Sequence, residues 1–271
     1  FFLLVSFFFA HAADRMTGIG TGYDLYPTTF SPEGRLFQIE YAGKAADTSG
    51  TAIGIKVSDG VVLGVEKLVR SKMLVKGSDK RIFTVAPHAG IALTGLLADG
   101  RQIVNTCREE AQRYKKFYGQ PIPGKMLNQR ISNFIQYFTL HDSVRPFGTS
   151  VIIAACDKTG PTLHMVEPSG ISYGYYAVAI GQGKQVAKTE LENLNFEELT
   201  AREAVIEIAK IIYKIHDDVK DKDFELELSW VCAESNNKHQ RVPEDLLAQA
   251  NEAGKASREA DQFGSDEEME I

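Results

Sequence analysis

The chain has 271 residues, of which 44% are hydrophobic and 24% charged, a composition that excludes disorder over most of its length and is typical of globular proteins. Its net charge of −6 and pI near 5.6 provide no basic surface for nucleic acid, and its 30 Lys and Arg residues are dispersed along the chain. We therefore expect neither a nucleic-acid partner nor a membrane partner.

The first fifteen residues, "FFLLVSFFFAHAADR", form an apolar run that ends in Ala-His-Ala, as a secretory leader does before its cleavage site. The run has no basic residues ahead of it, and Met16 stands directly before a second candidate start, "MTGIGTGYD". We interpret residues 1–15 as a non-native upstream extension and residues 16–31 as an N-terminal tail.

The stretch "TTFSPEGRLFQIEYA" predicts the first helix. Ser31 can cap free backbone N–H groups, and Pro32 suits the first helical position. The pattern predicts a helix over residues 32–44. Its apolar residues cover more than one stripe, which indicates contacts on two sides.

Strands and helices then follow in clusters. Ser58-Asp59-Gly60 predicts a hairpin between "TAIGIKV" and "VVLGVE", and Pro87-His88-Ala89 separates "RIFTVA" from "GIALTGL". Apolar residues at helical spacing predict two helices between Ile103 and Phe138, after which the strands "TSVIIAACD", "TLHMVE" and "ISYGYYAVAIG" indicate a second sheet. Further helices are predicted at residues 184–194 and 200–219.

The last strand, in "FELELSWVCAE", alternates apolar residues with Glu225, Glu227 and Ser229, which predicts one solvent-facing side. The clustered order excludes a strictly alternating β/α fold and favours an α+β domain in which two antiparallel sheets are covered by helices on both outer faces. That domain spans residues 32–250. Residues 251–271 comprise a helix end and an acidic tail, "GSDEEMEI", too polar to fold.

The motifs that suggest ligands are weak. "GIGTG" at residues 18–22 lacks a leading strand, and "GQGK" at residues 181–184 lacks the remaining glycine and the hydroxyl residue of a phosphate loop. The three separated cysteines, Cys107, Cys156 and Cys232, indicate buried thiols in a reducing compartment. We expect no cofactor, no metal and only structural or surface histidines.

One junction raises a catalytic alternative. Gly50-Thr51 immediately precedes the first strand, and a threonine whose amino group has been freed can serve as both nucleophile and base. Chemistry at Thr51 would therefore require cleavage after Gly50.

Several longer stretches carry a family resemblance: "YDLYPTTFSPEGRLFQIEYAGKA", "GVEKLVRSK", "RPFG" and "EPSGISYGY". With them the chain resembles the proteasome alpha subunits from about Gly20 to Trp230. "GTGYDL", "AKIIY", "KDKDFELELSW" and the acidic tail narrow the resemblance to the subunit type of the seventh position in the alpha ring.

The resemblance implies a four-layer αββα sandwich of the N-terminal nucleophile hydrolase type. Active beta subunits of this family carry their nucleophile four residues before the glycine that corresponds to Gly54, and Gly50 occupies that place here. The resemblance thus implies a catalytically silent subunit, whereas an active threonine hydrolase processed at Gly50-Thr51 is the alternative.

The resemblance also implies the site residues. Tyr23, Asp24, Pro32 and Tyr41 match the family's gate cluster, which holds the N-terminal tails aside from the central pore in its open state. Just before "IFTV", Lys80 or Arg81 corresponds to the basic residue that receives the C-terminal carboxylate of an activator, with a slight preference for Lys80.

Ser265 precedes three acidic residues and resembles an acid-directed kinase site, which predicts phosphorylation of the tail. The implied partners are neighbouring alpha subunits in a seven-membered ring, beta-ring subunits, and regulatory ATPases or other activators. The sequence and the resemblance together predict a cytoplasmic and nuclear subunit that builds and gates the 20S core particle without cleaving peptides itself.

Overall fold

The structure is a computed structural model that describes residues 22–69, 71–75, 77–216 and 223–269, with side-chain environments as far as residue 260. The predicted extension at residues 1–15 and residues 16–21 of the predicted tail lie outside the described residues. The helices are α1 (Phe37–Asp47), α2 (Leu97–Tyr118), α3 (Gly124–Tyr137), α4 (Lys184–Glu192), α5 (Ala201–Ile215) and α6 (Glu244–Met269). The strands are β1 (Ala52–Val57), β2 (Gly60–Leu68), β3 (Ile82–Ala86), β4 (Ala89–Gly95), β5 (Thr149–Asp157), β6 (Gly160–Val166), β7 (Ser172–Gly174), β8 (Ala177–Ile180), β9 (Phe224–Cys232) and β10 (Gln240–Arg241).

The strands form two five-stranded antiparallel sheets, ordered β10-β9-β2-β1-β8 and β3-β4-β5-β6-β7. One apolar cluster lies between the first sheet and helices α4 to α6, and a second lies between the other sheet and helices α2 and α3. A third cluster fills the space between the sheets, where Leu63, Ile152 and Val231 are fully buried. The predicted αββα sandwich is therefore confirmed.

The predicted hairpin turns are confirmed where short loops connect neighbouring strands. Val57 pairs with Gly60 across Ser58-Asp59, and Ala86 pairs with Ala89 across Pro87-His88. Helix α5 begins after Thr200, which forms a capping box with Glu203: the threonine hydroxyl accepts from the Glu203 N–H while the glutamate accepts from the Thr200 N–H.

The first helix begins later than the sequence indicated, at Phe37 instead of Pro32, and it ends at Asp47 instead of Lys44. Residues 31–35 form a closed turn, in which the Ser31 carbonyl accepts from the Gly34 N–H at 2.9 Å and the Ser31 N–H donates to the Arg35 carbonyl at 2.9 Å. Gly34 has a φ of +78°, a left-handed conformation that interrupts helical geometry. Ser31 thus caps this turn and not the helix.

The assignment of strands to sheets also differs from the sequence prediction. Strands β3 and β4 belong with β5 to β7, and not with β1 and β2. The run "ISYGYYAVAIG", interpreted as one strand, divides into β7 in one sheet and β8 in the other. Tyr175 and Tyr176 connect them, so the chain crosses between the two sheets at this point.

The predicted solvent-facing side of β9 is wrong at Glu227 and Ser229. Ser229 is buried, and the Glu227 side chain is only 10% exposed. The Glu227 carboxylate accepts a hydrogen bond from the Arg81 N–H at 2.8 Å, which joins β9 to the start of β3 in the opposite sheet. The polar face of β9 therefore connects the two sheets.

Helix α6 continues to Met269, so it includes most of the segment that was expected to remain unfolded. Extending a helix by one residue is much less costly than nucleating one, and Glu and Met are favourable helix formers.

Candidate functional site

The residues before α1 are held against that helix through Asp24. The Tyr41 hydroxyl donates to the Asp24 carboxylate at 3.4 Å, and the Gln38 side-chain amide donates to the Asp24 backbone carbonyl. Burial raises the pKa of Tyr41, and the neighbouring Asp24 carboxylate raises it further, so the phenol stays protonated and can donate.

The structure therefore brings together two of the four predicted gate residues, Asp24 and Tyr41. Tyr23 lies beside Asp24 in the chain and is exposed, and Pro32 is exposed in the closed turn before α1. Sequence reasoning missed Gln38, although its place three residues before Tyr41 puts both side chains on one face of α1.

A second contact anchors the same segment further along the chain. The Thr28 hydroxyl donates to the Asp142 carboxylate in the loop after α3. Leu25, between these contacts, and Phe30, two residues after the second, leave 70% and 63% of their surfaces exposed. A segment that is fixed at two points while it presents apolar side chains to solvent is typical of a surface that meets another protein.

Helix α1 covers one end of the sandwich. Phe37 and Ala46 are buried where the helix packs against β4 and β5. At its last turn, both Asp47 carboxylate oxygens accept from the Lys184 ammonium at 2.7 Å, which connects α1 to the first residue of α4. Helix α1, directly upstream of Thr51, is thus an integral part of the packed domain.

Thr51 is enclosed at the Gly50-Thr51 junction, whereas Gly50 before it is half-buried. Thr51 has 0% exposure, its N–H donates to the Glu66 carboxylate at 3.1 Å, and its hydroxyl accepts from the Gly183 N–H at 3.0 Å. The Glu66 carboxylate also lies 2.8 Å from Nδ1 of buried His216. The Thr51 oxygen is therefore engaged in holding the start of α4 and is not presented to a substrate.

Gly50 occupies the position at which the resemblance places a nucleophile, and it has no room for one. A Cβ atom on Gly50 would lie 2.3 Å from the Glu66 carbonyl oxygen. Since that oxygen belongs to the backbone of β2, a side chain there would require the strand to move.

Sequence reasoning missed the cluster of Thr51, Glu66 and His216. The three residues are separated by up to 165 positions, and no local motif connects them. The one available signal was a glutamate in the otherwise apolar strand "VVLGVE", because a buried carboxylate requires a partner.

The two candidates for the activator pocket differ in their surroundings. Lys80 is exposed, whereas Arg81 is half-buried, and its guanidinium donates to the Gly95 carbonyl at 3.0 Å. Since the Arg81 N–H is also held by Glu227, the backbone that carries both side chains is fixed.

The described residues also bear on metal, membrane and thiol sites. Within the described ranges, no three His, Cys, Asp or Glu side chains form a group that could hold a metal ion. None of the described helices is long and apolar enough to cross a membrane. All three cysteines are buried free thiols, and burial raises the pKa of Cys107 and of Cys156.

Comparison with known families matches most of the chain. Residues 46–231 match the family described as "Proteasome subunit", and residues 23–45 match the N-terminal signature of A-type proteasome subunits. The chain therefore belongs to the proteasome subunit family, and its N-terminal segment has the alpha-type signature.

Within that family the chain is similar to alpha-type subunits. It is 60% identical to "Proteasome subunit alpha type-3" of Acanthamoeba castellanii over 92% of this chain and 99% of that relative. It is 57% identical to the Arabidopsis thaliana protein of the same name over 90% of this chain and 98% of that protein. It is also 52% identical to "Probable proteasome subunit alpha type-7" of Saccharomyces cerevisiae, over 87% and 83% of the two chains. These matches confirm the resemblance predicted from the sequence.

Proposed function

We propose that this chain is a noncatalytic subunit in the seventh position of the alpha ring of the 20S core particle. It assembles with neighbouring alpha subunits and with beta subunits, and it contributes to degradation of ubiquitin-tagged and unfolded proteins as part of the ring and its gate. The buried thiols and the family membership support a cytoplasmic and nuclear location.

The observation that carries the noncatalytic role is the burial of Thr51 at the Gly50-Thr51 junction. Thr51 is fully buried, its N–H and its hydroxyl are both hydrogen-bonded, and helix α1 packs against β4 and β5 directly upstream of it. An N-terminal nucleophile requires a free amine and an open route for substrate. The alternative, an active hydrolase processed after Gly50, would have to expose this junction first.

This difference predicts the mass of the mature polypeptide in purified particles. We expect intact mass spectrometry to show a chain that retains α1, and an electrophilic inhibitor to leave Thr51 unmodified. Threonine-active beta subunits in the same particle provide the positive control for labelling. A polypeptide that begins at Thr51 and carries a covalent adduct there would establish the alternative.

We assign the gate to Tyr23, Asp24, Pro32 and Tyr41. The contact between Tyr41 and Asp24 supports this role, because it fixes the segment that leads into the N-terminal tail. Since one hydrogen bond contributes about 0.5–1 kcal/mol, losing it is expected to shift an open–closed equilibrium by about two- to fivefold.

Tyr41→Phe isolates this contact, because it removes the hydroxyl and keeps the ring. We expect activator-stimulated peptide hydrolysis by reconstituted particles to fall about two- to fivefold, with unchanged assembly on native gels. Tyr118→Phe, which removes an exposed hydroxyl at the end of α2, is the matched control. Equal hydrolysis by both variants would remove Tyr41 from the gate.

Activator docking is assigned to Lys80 and Arg81, with regulatory ATPases among the partners. Lys80 is the better candidate, because its ammonium is exposed while the Arg81 guanidinium bonds to the Gly95 carbonyl. Phosphorylation of Ser265 also remains a proposal, since this residue lies in the part of α6 beyond the described side chains.

A further inference from the structure

A cleft of about 230 Å³ lies where the edge strand β3 of one sheet approaches β9 and β10 of the other. Three cationic side chains line it, those of Lys80, Arg108 and Arg241. The same cleft contains a linked set of polar groups, contributed by Thr84, Ser229 and His239. Neither the proposed gate nor the Gly50-Thr51 junction involves the arginines or this polar set.

His239 connects the two sheets at the base of the cleft. Its Nδ1 lies 2.8 Å from the Thr84 hydroxyl on β3, and its Nε2 lies 3.0 Å from the Ser229 hydroxyl on β9. The ring fits there because the adjacent strand carries Gly90, whose added Cβ would lie 2.0 Å from Nε2. Desolvation lowers the pKa of His239 to about 4, so the imidazole is neutral at neutral pH.

A neutral imidazole carries one N–H and one acceptor nitrogen. One of the two hydroxyls therefore donates to the ring, and the other accepts from it and keeps its own proton. When Nδ1 carries the hydrogen, it donates to the Thr84 oxygen, and the Thr84 hydroxyl hydrogen stays available to a ligand. Thr84 is also the exposed member of the pair. The cleft can then offer a neutral O–H donor beside its cations.

Arg108 is fixed next to this hydroxyl. Its Nε donates to the Thr84 backbone carbonyl at 3.1 Å, and in the described part of the chain its terminal nitrogens have no hydrogen-bond partner. Arg241 stands opposite Ser229 in the β9–β10 pair. One guanidinium group therefore reaches the cleft from helix α2 and the other from strand β10, and both have forked donors suited to paired oxygen atoms.

The one carboxylate in the lining, that of Glu227, is largely neutralised. It accepts from the Arg81 N–H, and it lies 3.9 Å from the Arg241 guanidinium. The nearby carboxylates of Asp79 and Glu225 are paired with Lys67 at 3.1 and 2.5 Å. The lining itself, with three cations and one carboxylate, keeps an excess of positive charge.

We propose that this cleft is an oxyanion-binding site, in which Arg108, Arg241 and the Thr84 hydroxyl bind a phosphate or carboxylate group and Lys80 lies at its rim. The group is either a free anion or the acidic side chain of an adjoining subunit, because both present the same charged oxygens. The site is separate from catalysis and from the gate, and it shares only Lys80 with the proposed activator pocket.

Calorimetric titration of the full-length chain with inorganic phosphate tests the site, with ionic strength held constant by chloride. We expect one saturable site, and at least about tenfold weaker binding after Arg108→Gln with Arg241→Gln, since hydrogen bonds to charged groups contribute about 1.5–3 kcal/mol each. Thr84→Val should also weaken binding. Arg113→Gln, on the same helix as Arg108 but paired with Glu110, should leave it unchanged.

The same titration on assembled particles identifies the source of the oxyanion. Phosphate binding that persists in wild-type particles, and is lost in the double variant, indicates a free anion. Binding that disappears on assembly, together with weaker assembly of the double variant, indicates an acidic side chain from a neighbour. The proposal fails if the isolated chain shows no saturable phosphate binding, or if the double variant binds phosphate as tightly as Arg113→Gln does while both remain folded by thermal unfolding.

Discussion

Replacing Gly95 with alanine is expected to lower the free energy of unfolding by about 3–5 kcal/mol, because backbone strain and steric overlap act together. Gly95 ends β4 with a φ of +94°, a conformation that side chains disfavour. An added Cβ would lie 2.2 Å from the Gly148 carbonyl oxygen and 3.0 Å from the Ala46 Cα of α1. Neither neighbour is a flexible side chain, so the strand or the helix must move.

Chemical denaturation of the isolated chain measures this effect. Gly43→Ala is the matched control, because Gly43 lies in α1 with no atom within 4 Å of its added Cβ. There we expect no loss of stability, and a gain of up to about 1 kcal/mol from improved helix propensity. We also expect Gly95→Ala to impair incorporation into particles, because α1 would no longer pack in its position against β4 and β5. Equal stability of the two variants would contradict this account of the helix position.

Acidification from pH 6.5 to pH 4 is expected to cost about 2–3 kcal/mol of stability through His239 alone, at 1.36 kcal/mol for each unit by which its pKa is lowered. The folded-state pKa is about 4, below the ordinary value of 6.5. In this interval the unfolded chain binds a proton that the folded chain does not. The free energy of unfolding therefore rises with pH between 4 and 6.5. Above pH 6.5 His239 is neutral in both states, and its effect on stability no longer changes with pH.

His239→Gln removes the titration while it keeps a polar side chain. Denaturation curves at several pH values should show a shallower loss of stability on acidification for this variant than for the wild type. The comparison concerns the slopes, since the variant also alters the hydrogen bonds to Thr84 and Ser229. His141→Gln, which replaces an exposed histidine in the loop after α3, is the matched control for the loss of a histidine side chain. Identical slopes for all three proteins would show that His239 titrates as it does in the unfolded chain.

The candidate gate was predictable only in part. The family resemblance pointed to Asp24 and Tyr41, and the structure brings them into contact. It did not point to Asp142, which receives the Thr28 hydroxyl from 114 positions away. A contact over that separation depends on how α3 and the following loop pack, and no local pattern encodes such packing.

The Gly50-Thr51 junction was likewise predictable only in part. The register of Gly50 relative to Gly54 was visible in the sequence and the resemblance. The steric reason, a backbone oxygen of Glu66 where a side chain would lie, depends on the pairing of β1 with β2. Thr51 is held by two hydrogen bonds: its N–H donates to the Glu66 carboxylate on β2, and its hydroxyl accepts from the Gly183 N–H just before α4.

The sequence by itself determined the kinds of elements, their order and most of their turns. Periodicity and turn chemistry act over a few residues, so Ser58-Asp59 predicts its hairpin without any knowledge of the rest of the chain. Only the tertiary structure decided which sheet each strand joins. Tyr175-Tyr176 divides one apolar run between two sheets, and Glu227 lies between the sheets although its alternation with apolar residues favoured solvent. These outcomes depend on edges and faces contributed by distant segments, whose free energy of packing outweighs the local preference.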